Sequence, residues 1–427
     1  MRIIADLHIH SPYSRAVSKE MTLENLDHWA RLKGITVMGT GDFTHPAWIK
    51  EIKAKLEPAE PGLYKLKVAP NLVSHSAETK FGATRFILTV EISSIYSKGG
   101  KTRRVHSLIF VPSIESAEKI NAALGWQGNI KSDGRPILGL GAKELAKIVW
   151  DIDERAEVVC AHAWTPWFSV FGSMSGFDSL EECYDELAPR IRIIETGLSS
   201  DPAMNWRLSR LDNIALISNS DSHSLQRIGR EANVLDTELS YDGIMDAIKS
   251  HDSSRFLFTV EFFPEEGKYH YDGHRVCGFS SAPEETKKLN KLCPKCGKPV
   301  TVGVMYRVDE LADRPAGGEP PAGAIPFKSM VPLDEIVAEA FGVGTASKRV
   351  KEEYRRLVEN IGSEFRVLID ASDADLKAAI APEVAEGILR VREGRLNIEP
   401  GYDGEYGHVK IFEKGERIAA APQASLF

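Results

Sequence analysis

The hexapeptide at residues 6–11 constrains this chain more than any other feature of its sequence. It follows an apolar run at residues 2–5 that is typical of a β-strand. Because side chains two residues apart on a strand point to the same face, Asp6, His8 and His10 share one face at the strand end. Histidine nitrogens and carboxylate oxygens are common metal ligands, and a carboxylate can also orient a ligating histidine. We therefore predict half of a metal site at the end of the first strand.

The composition indicates a globular protein with more than one domain. The chain has 427 residues, of which 43% are hydrophobic and 27% charged, and this length allows two or three domains. Because no apolar run approaches the length of a membrane span and no leader precedes the first strand, we expect a cytoplasmic protein without a membrane partner. The net charge of −8 argues against a surface that coats DNA everywhere, but it allows a local basic groove.

Strand-like and helix-like runs alternate along the first part of the chain. This alternation predicts a parallel sheet, open or closed into a barrel. Polar residues of ligand type follow most of these strands, and β/α barrels place their functional residues at strand ends. The predicted strands are 35–39, 85–90, 105–111, 157–161, 191–195 and 215–219, and the predicted helices between them include 23–33, 114–124 and 142–152.

The pattern changes after residue 252, which we take as the end of a barrel domain at residues 1–252. Aromatic, glycine and cysteine residues are frequent in 253–328, which we interpret as a small zinc-binding module. Residues 329–405 are predicted as a helical DNA-binding domain, with Ser372 as one N-cap. Residues 406–427 predict a short strand and a flexible tail. The predicted helices of the third segment are 332–341, 347–360, 372–380 and 382–393.

Ligand-type residues recur at the ends of the later strands, in a number that exceeds the needs of one metal ion. Two or three divalent ions sharing a carboxylate would use them, and Glu91, alone after an apolar strand, is the predicted bridge. Mixed histidine and carboxylate ligands suit zinc, manganese or iron, and magnesium is a further candidate at carboxylate-rich sites. Such a cluster polarises a phosphoryl oxygen and generates hydroxide near neutral pH, so we predict phosphoester hydrolysis. Besides Asp6, the predicted ligands are His8, His10, Asp42, His45, Glu91, His106, His162, Asp221 and His223. The predicted catalytic residues are His8, His10, Glu91, His162, Asp221 and His223.

These residues resemble the motifs of the PHP family of metal-dependent phosphoesterases. The resemblance covers roughly residues 1–250 and implies a distorted (β/α)7 barrel with a trinuclear metal site. The second motif of that family usually reads Thr-Asp-His, whereas this chain has Gly41, Asp42 and Phe43. The missing histidine would come from His45 or from another ligand. The four matching segments are 6–11, 34–42, 161–162 and 219–223, in the order and spacing of the family.

Nearly the full length of the chain is similar to the endonuclease Q family of DNA repair nucleases. The supporting segments are 89–93, 195–202, 269–277 and the helical C-terminal part. That resemblance implies an endonuclease that cuts DNA 5′ to deaminated bases (hypoxanthine, uracil and xanthine) and to abasic sites. The alternatives are a small-molecule phosphatase of the histidinol-phosphate type and a non-catalytic DNA-binding scaffold. The segments beyond residue 252 count against the first alternative, and the nearly complete ligand set counts against the second.

Three of the five cysteines lie close together late in the chain. Cys293 and Cys296 form a Cys-x-x-Cys turn followed by glycine, which is typical of a zinc knuckle. Cys277 would supply a third thiolate and His274 would complete the shell, with His270 as the substitute. Because four protein ligands leave no open position, we predict one structural zinc. The alternatives are a redox pair and unrelated buried thiols.

Basic and aromatic residues near the motifs are candidates for DNA contacts. An enzyme that reads a damaged base must take it out of the stack, and the aromatic residues at 163–176 could form the walls of a pocket or a wedge. Ordinary core packing explains these aromatics equally well. The predicted DNA-binding residues are Lys101, Arg103, Arg104, Arg227 and Arg230.

The last five residues resemble the short peptide that docks on the bacterial sliding clamp. Gln423 would bond at the edge of the clamp pocket, while Leu426 and Phe427 would fill it. Chance occurrence is the alternative for so short a segment. The predicted partners are therefore damaged DNA and a replication clamp, and the predicted location is the cytoplasm, in association with the nucleoid.

Overall fold

The computed structural model describes residues 1–67, 83–413 and 416. Within these residues the chain forms seventeen β-strands and thirteen α-helices. The strands are β1 (Arg2–Asp6), β2 (Val37–Gly39), β3 (Leu56–Pro58), β4 (Tyr64–Leu66), β5 (Arg85–Lys98), β6 (Lys101–Val111), β7 (Ile137–Leu138), β8 (Glu157–Cys160), β9 (Ile193–Glu195), β10 (Ala215–Ile217), β11 (Ala232–Asp236), β12 (Phe256–Glu261), β13 (Asp272–His274), β14 (Phe279–Ser281), β15 (Phe327–Ser329), β16 (Asn397–Glu399) and β17 (His408–Lys410). The helices are α1 (Leu23–Lys33), α2 (Pro46–Lys55), α3 (Ile114–Gln127), α4 (Ala142–Ile152), α5 (Leu180–Tyr184), α6 (Pro202–Asn205), α7 (Tyr241–Lys249), α8 (Pro283–Lys288), α9 (Val304–Leu311), α10 (Leu333–Phe341), α11 (Lys348–Ile361), α12 (Asp373–Ala379) and α13 (Pro382–Arg392).

A single mixed sheet organises the first part of the chain. Its strands follow the order β10-β9-β8-β6-β5-β2-β1-β11-β12-β15, with β3, β4 and β7 attached beside β5. Beyond β1 and β10 the chain forms a parallel bridge between Ile9 and Ser222, where the N–H of His10 donates to the Ser222 carbonyl at 3.0 Å. The sheet therefore curls back on itself, which confirms the predicted α/β class with a distorted barrel.

The sheet is mixed, whereas the alternation of strands and helices predicts a parallel sheet, and one cause of the difference is a two-residue turn. Strands β5 and β6 run antiparallel over their whole length, with Lys98 opposite Lys101. Gly99 and Gly100 join them with φ angles of 61° and 73°, which residues other than glycine rarely adopt. A turn this short can connect only antiparallel neighbours. Strand β6 also pairs antiparallel with β8, and β1 with β11, so parallel pairing is confined to other neighbours such as β1 with β2 and β8 with β9.

Alternate residues of the curled strands bury one face of the sheet. Ile3 and Ala5 of β1 belong to a buried cluster that also holds alternate residues of β2, β5, β6, β8, β9 and β10, together with apolar residues of α7. Ile4 belongs to a second, larger cluster that includes the residues of α1, α3 and α4 facing the sheet. Because β-strand side chains alternate between faces, the two clusters lie on opposite sides of the sheet.

Buried ion pairing connects the barrel to the helices at the C-terminal end. Lys33 at the end of α1 lies 2.9 Å from Glu364, and both side chains are at most 6% exposed. Helices α10 to α13 pack against one another, and Ser372 caps α12 through the N–H of Asp375 as predicted. Among the helices of the described residues, none combines the length and the apolar character that a bilayer span requires.

Candidate metal centre

Two groups of metal-ligand side chains meet at the ends of the curled strands. In each group, one ligand atom per residue lies within 4.8 Å of those of the others. Glu91 belongs to both groups, as expected of the bridge that the sequence predicts. The first group is His8, His10, Glu91 and Asp221, and the second is Glu91, His106 and His162.

His8 presents a free ring nitrogen to the first group. Its Nδ1 atom lies 3.1 Å and 3.0 Å from the two oxygens of Glu195, so this nitrogen carries the hydrogen and donates it. The other ring nitrogen, Nε2, faces Glu91 at 3.6 Å and Asp221 at 3.5 Å. This buried nitrogen has no hydrogen-bond partner among the described residues. A buried ring nitrogen between two carboxylates, with no hydrogen-bond partner of its own, fits the donor set of a divalent cation.

His10 is held in the same way by a different carboxylate. Its Nδ1 lies 3.0 Å from Asp42, and its Nε2 faces Asp221 at 3.1 Å and Glu91 at 3.3 Å. The second oxygen of Asp42 accepts hydrogen bonds from the backbone and side chain of Ser11 and from the side chain of Ser14. Asp42 thus fixes the ring of His10 and lies behind it, outside both ligand groups.

The second group is built around one oxygen of Glu91. Its Oε1 atom lies 2.5 Å from Nδ1 of His106 and 3.0 Å from Nε2 of His162. The other oxygen of Glu91 faces the first group. His162 has a φ angle of 30°, and its N–H donates to Glu195 at 2.8 Å. Glu195 therefore anchors one histidine from each group.

Burial and charge shape the protonation of these residues in opposite ways. Burial disfavours charged histidine, but Glu195 and Asp221 outweigh it at His8 and hold its pKa well above the ordinary range. Burial dominates at His106 and lowers its pKa to about 4, despite the nearby Glu91. For Glu91, the neighbouring His106 and Arg135 overcome burial and keep its pKa well below the usual value. The carboxylates thus favour the charged form of His8, and a divalent cation bound at Nε2 would take the place of its second proton.

Three other predicted ligands lie beside the two groups rather than in them. His45 stacks on Tyr13 with ring centroids 4.4 Å apart, and its buried Nδ1 has no partner in the described part of the chain. His223 is 34% exposed, and its Nδ1 donates to the Asp221 carbonyl at 2.9 Å. Asp6 accepts from the N–H groups of Ser220 and Gly229, so it braces the loop that carries Asp221. Whether these residues ligate a further metal stays a prediction.

Two residues of the centre were missed as site residues in the sequence. Glu195 ends an apolar strand, as Glu91 does, and that position was its signal. Arg135 donates to Glu91 at 3.1 Å from a loop between α3 and β7, and no sequence pattern pointed to it.

The predicted zinc ligands come together in the module. One ligand atom each of His274, Cys277, Cys293 and Cys296 lies within 4.8 Å of the others. His274 is the last residue of β13, and Lys295 of the knuckle donates to the Cys277 carbonyl at 2.8 Å. The substitute ligand His270 is not in this group.

The predicted DNA-binding residues fall into different environments. Lys101 is exposed at the β5–β6 turn. Arg103 packs over Phe177 and donates to the Gly176 carbonyl. Arg104 lies over Phe168, with 5.7 Å from its guanidinium carbon to the ring centroid. The other two are occupied within the protein: Arg227 pairs with Glu335 and Arg230 donates to the Ser220 carbonyl.

The aromatic residues that follow His162 lie in two places, the protein core and the edge of the metal centre. Trp164 is fully buried and donates its indole N–H to Asn205 at 2.8 Å. Phe168 lies beside the ring of His106, with centroids 4.7 Å apart. Trp167 is 37% exposed and meets Tyr269 edge to face at 5.6 Å. Core packing therefore explains Trp164, whereas Trp167 and Phe168 flank the centre.

Sequence comparison relates this chain to proteins of archaea and bacteria. It is 29% identical over 423 residues to the uncharacterized protein YqxK of Bacillus subtilis, covering 96% of this chain and 99% of YqxK. It is 32% identical over 291 residues to the uncharacterized protein MJ0043 of Methanocaldococcus jannaschii, covering 65% of this chain but only 36% of MJ0043. Residues 332–395 match the family model of the MJ0043 C-terminal domain.

Two solved structures are similar over almost the full length. The lesion-specific endonuclease PfuEndoQ from Pyrococcus furiosus is 33% identical with a TM-score of 0.83, and the alignment covers 96% of this chain and 95% of PfuEndoQ. An endonuclease Q bound to a 27-mer duplex, with an abasic lesion at its active site, is 34% identical with a TM-score of 0.81. That alignment covers 97% of each chain.

Proposed function

Because this chain belongs to the endonuclease Q family, we propose that it is a metal-dependent DNA endonuclease that hydrolyses the phosphodiester 5′ to a damaged nucleotide. The proposed lesions are abasic sites and deaminated bases, namely hypoxanthine, uracil and xanthine. The observation that carries the proposal is Glu91, which serves two ligand groups at once. A shared carboxylate is how adjacent divalent ions are held at phosphoryl-transfer sites.

Divalent metal ions are the cofactors that this centre fits. His8, His10, Glu91 and Asp221 would hold one ion, and Glu91, His106 and His162 a second. A third ion would need Asp42, His45 or His223, which lie beside these groups. Zinc or manganese suits the mixed nitrogen and oxygen donors, and magnesium is a further candidate. Bound ions would polarise the scissile phosphate and lower the pKa of a water molecule.

The protein's own residues supply orientation and proton control. Glu195 and Asp42 hold the rings of His8 and His10 in the tautomer that leaves Nε2 free. His223 is 34% exposed at the rim, and burial lowers its pKa, so its ring is neutral near pH 7 and suited to accept a proton. We assign it to the proton that the attacking water gives up, while the departing 3′ oxygen takes a proton from solvent, which yields 3′-hydroxyl and 5′-phosphate ends.

The remaining features are assigned to DNA binding and recruitment. Lys101 at the β5–β6 turn and Arg104, which lies over Phe168 near His106, are the basic side chains that we propose contact the DNA backbone. The cysteine group would hold one structural zinc. The proposed clamp-binding residues Gln423, Leu426 and Phe427 lie outside the described residues, and recruitment by a clamp stays a prediction. Work on chromosomal DNA would place the protein in the cytoplasm at the nucleoid.

The test is nicking of an end-labelled duplex with one central deoxyinosine, in the presence of Mn²⁺ or Zn²⁺. Matching duplexes carry uracil, an abasic site or no lesion. We expect a single product cut 5′ to the lesion and none from the undamaged duplex. The double variant His8→Ala, His10→Ala should lose this product, because it removes two ligand nitrogens from the first group.

A matched variant separates the site from general effects of histidine loss. His28→Ala removes an exposed histidine of α1 and should nick as the native protein does. Release of phosphate from small monoesters, with no cut in any lesion duplex, would instead establish a small-molecule phosphatase. Binding of DNA without either reaction would establish a scaffold.

A further inference from the structure

Arg135 reaches the metal centre from a loop that has no part in the ligand motifs. Its Nη1 atom donates to Oε2 of Glu91 at 3.1 Å. The arginine side chain is 28% exposed, whereas Glu91 is fully buried, so the guanidinium lies between the bridging carboxylate and solvent. Arg135 therefore borders the open side of the centre, where a substrate must arrive.

The loop that carries Arg135 packs closely against the residues of the metal centre. The N–H of Gly134 donates to the Tyr13 carbonyl at 3.1 Å, and the carbonyl of Pro136 accepts from Ser93 of β5 at 3.0 Å. A Cβ atom at Gly134 would lie 2.3 Å from Oδ2 of Asp42, which real structures do not allow. Only glycine permits so close an approach, and the backbone next to Arg135 is thus fixed relative to the centre.

The guanidinium holds more donors than its partner uses. An arginine offers five N–H donors in a planar fork that matches phosphate oxygens. Glu91 is the one side-chain acceptor that Arg135 contacts within the described residues, through Nη1 alone. Of the predicted DNA-binding arginines, Arg227 pairs with Glu335 and Arg230 donates through Nε to the Ser220 carbonyl, and neither contacts Glu91 within the described residues. Arg135 combines a contact to Glu91 with unused donors.

We propose that Arg135 binds a non-bridging oxygen of the scissile phosphate. The inference rests on the proposed function and names the residue that positions its substrate. Divalent ions held by the two groups would draw on the lone pairs of Glu91 and weaken its contact with Arg135. The guanidinium fork would then be available to the oxygens of a phosphodiester at the centre. A donor aimed at that oxygen also stabilises the negative charge that grows there as the bond breaks.

The alternative is that Arg135 only neutralises the buried charge of Glu91. The two roles differ in what they predict for the substrate. A counter-ion competes with cations, so its removal leaves metal binding equal or stronger and gives no stereochemical signature on the substrate. A phosphate ligand senses which of the two non-bridging oxygens is replaced.

The experiment compares the native protein with Arg135→Ala, Arg135→Lys and the control Arg192→Ala, an exposed arginine before β9. The substrates are abasic duplexes with sulfur in place of either non-bridging oxygen at the scissile phosphate. Native enzyme should be slowed by one diastereomer. In Arg135→Ala, kcat/KM on the unmodified duplex should fall about 100- to 1,000-fold. The thio penalty, which is the rate on the unmodified duplex divided by the rate on that diastereomer, should fall toward one. Arg135→Lys should retain an intermediate penalty, because lysine keeps the charge but not the fork.

Binding and metal content give readouts that do not depend on turnover. With Ca²⁺ in place of the catalytic metal, fluorescence anisotropy should show weaker binding of the abasic duplex by Arg135→Ala than by Arg192→Ala. The metal content of Arg135→Ala, measured by mass spectrometry, should be no lower than that of the native protein, which excludes metal loss as the cause of the weaker binding. An unchanged thio penalty with unchanged duplex binding would overturn the inference. If the native protein binds the duplex but nicks no lesion, the proposed function fails, and the binding comparison still decides the role of Arg135.

Discussion

One oxygen of Glu195 serves both halves of the centre: Oε2 lies 3.0 Å from Nδ1 of His8 and accepts the N–H of His162 at 2.8 Å. The other oxygen accepts from the side chain of Asn219 at 2.9 Å. Every partner of this carboxylate is a donor. Glu195, which lies behind the ligands, thus orients His8 and His162, two histidines from distant parts of the chain.

Glu195→Gln should weaken metal binding without removing a ligand. The amide would turn one donor toward His8 or Asn219, which also donate, so the ring of His8 would lose its fixed tautomer. Loss of such an orienting partner typically costs about 10- to 100-fold in metal affinity. We expect nicking to need correspondingly more Mn²⁺ and to recover when Mn²⁺ is raised.

The measurement is a Mn²⁺ titration of the nicking rate, together with calorimetric binding. Glu154→Gln, at an exposed glutamate between α4 and β8, should titrate as the native protein does. Equal Mn²⁺ midpoints for the two variants would contradict the orienting role.

The sequence predicted the helices well, because the pattern of apolar and capping residues that forms a helix lies within one short segment. Helices α1 and α4 have the predicted bounds, and Ser372 caps the predicted helix. The antiparallel direction of β6 escaped prediction because the length of β5 was underestimated and its glycine turn was not recognised. Strand-end position also revealed most residues of the centre. The partners of Glu195 and the approach of Arg135 could not be predicted, since they depend on which loops the curled sheet brings together.

Glu261 should make the stability of the fold depend on pH. Burial, together with the nearby Asp201, raises its pKa from the ordinary 4.5 to about 8, although Thr259 and Thr196 donate to it. The folded protein therefore keeps a proton that the unfolded chain releases above pH 4.5. Stability falls as the pH rises through this window, by at most about 1.4 kcal/mol per pH unit, and the loss is complete above pH 8.

Glu261→Gln cannot lose that proton, so its stability relative to the native protein should increase from pH 5 to pH 8.5. Urea unfolding at both values, in EDTA, measures the difference. Glu231 has a pKa raised by burial and by Glu261, and its ionisation should also become easier in the variant. A difference between variant and native protein that is the same at both pH values would show that Glu261 is ionised throughout.

Cys293→Ser should remove metal from the module and leave the barrel loaded. Cys293 is 1% exposed and lies in the group with Cys277, Cys296 and His274. Because a structural zinc needs all its ligands, we expect the metal content to fall by one zinc per chain and the melting temperature to drop. Cys183→Ser, at a buried cysteine outside the group, should keep the full zinc content. Retention of zinc by Cys293→Ser would disprove the assignment.

Trp167 should contribute to the recognition of a base but not of an abasic site. Its ring is 37% exposed, is braced by Tyr269, and adjoins Phe168, which contacts the candidate ligand His106. Stacking of a base on such a ring is worth about 1–3 kcal/mol. We therefore expect Trp167→Ala to weaken binding of deoxyinosine and deoxyuridine duplexes roughly 5- to 150-fold. An abasic duplex has no base to stack at the lesion, and its binding should change little.

The buried Trp164 provides the contrast, because it is fully enclosed and bonded to Asn205. Trp164→Ala should lower the free energy of unfolding by about 3–5 kcal/mol, whereas Trp167→Ala should leave it nearly unchanged. Anisotropy titrations in Ca²⁺ with the three lesion duplexes, read beside urea unfolding, separate the two roles. An equal loss of affinity for all three duplexes would make Trp167 a contact to the DNA backbone or to undamaged bases. Selective loss for the base-bearing lesions would place the extruded base between the zinc module and the metal centre, on the side of the barrel where Tyr269 meets Trp167.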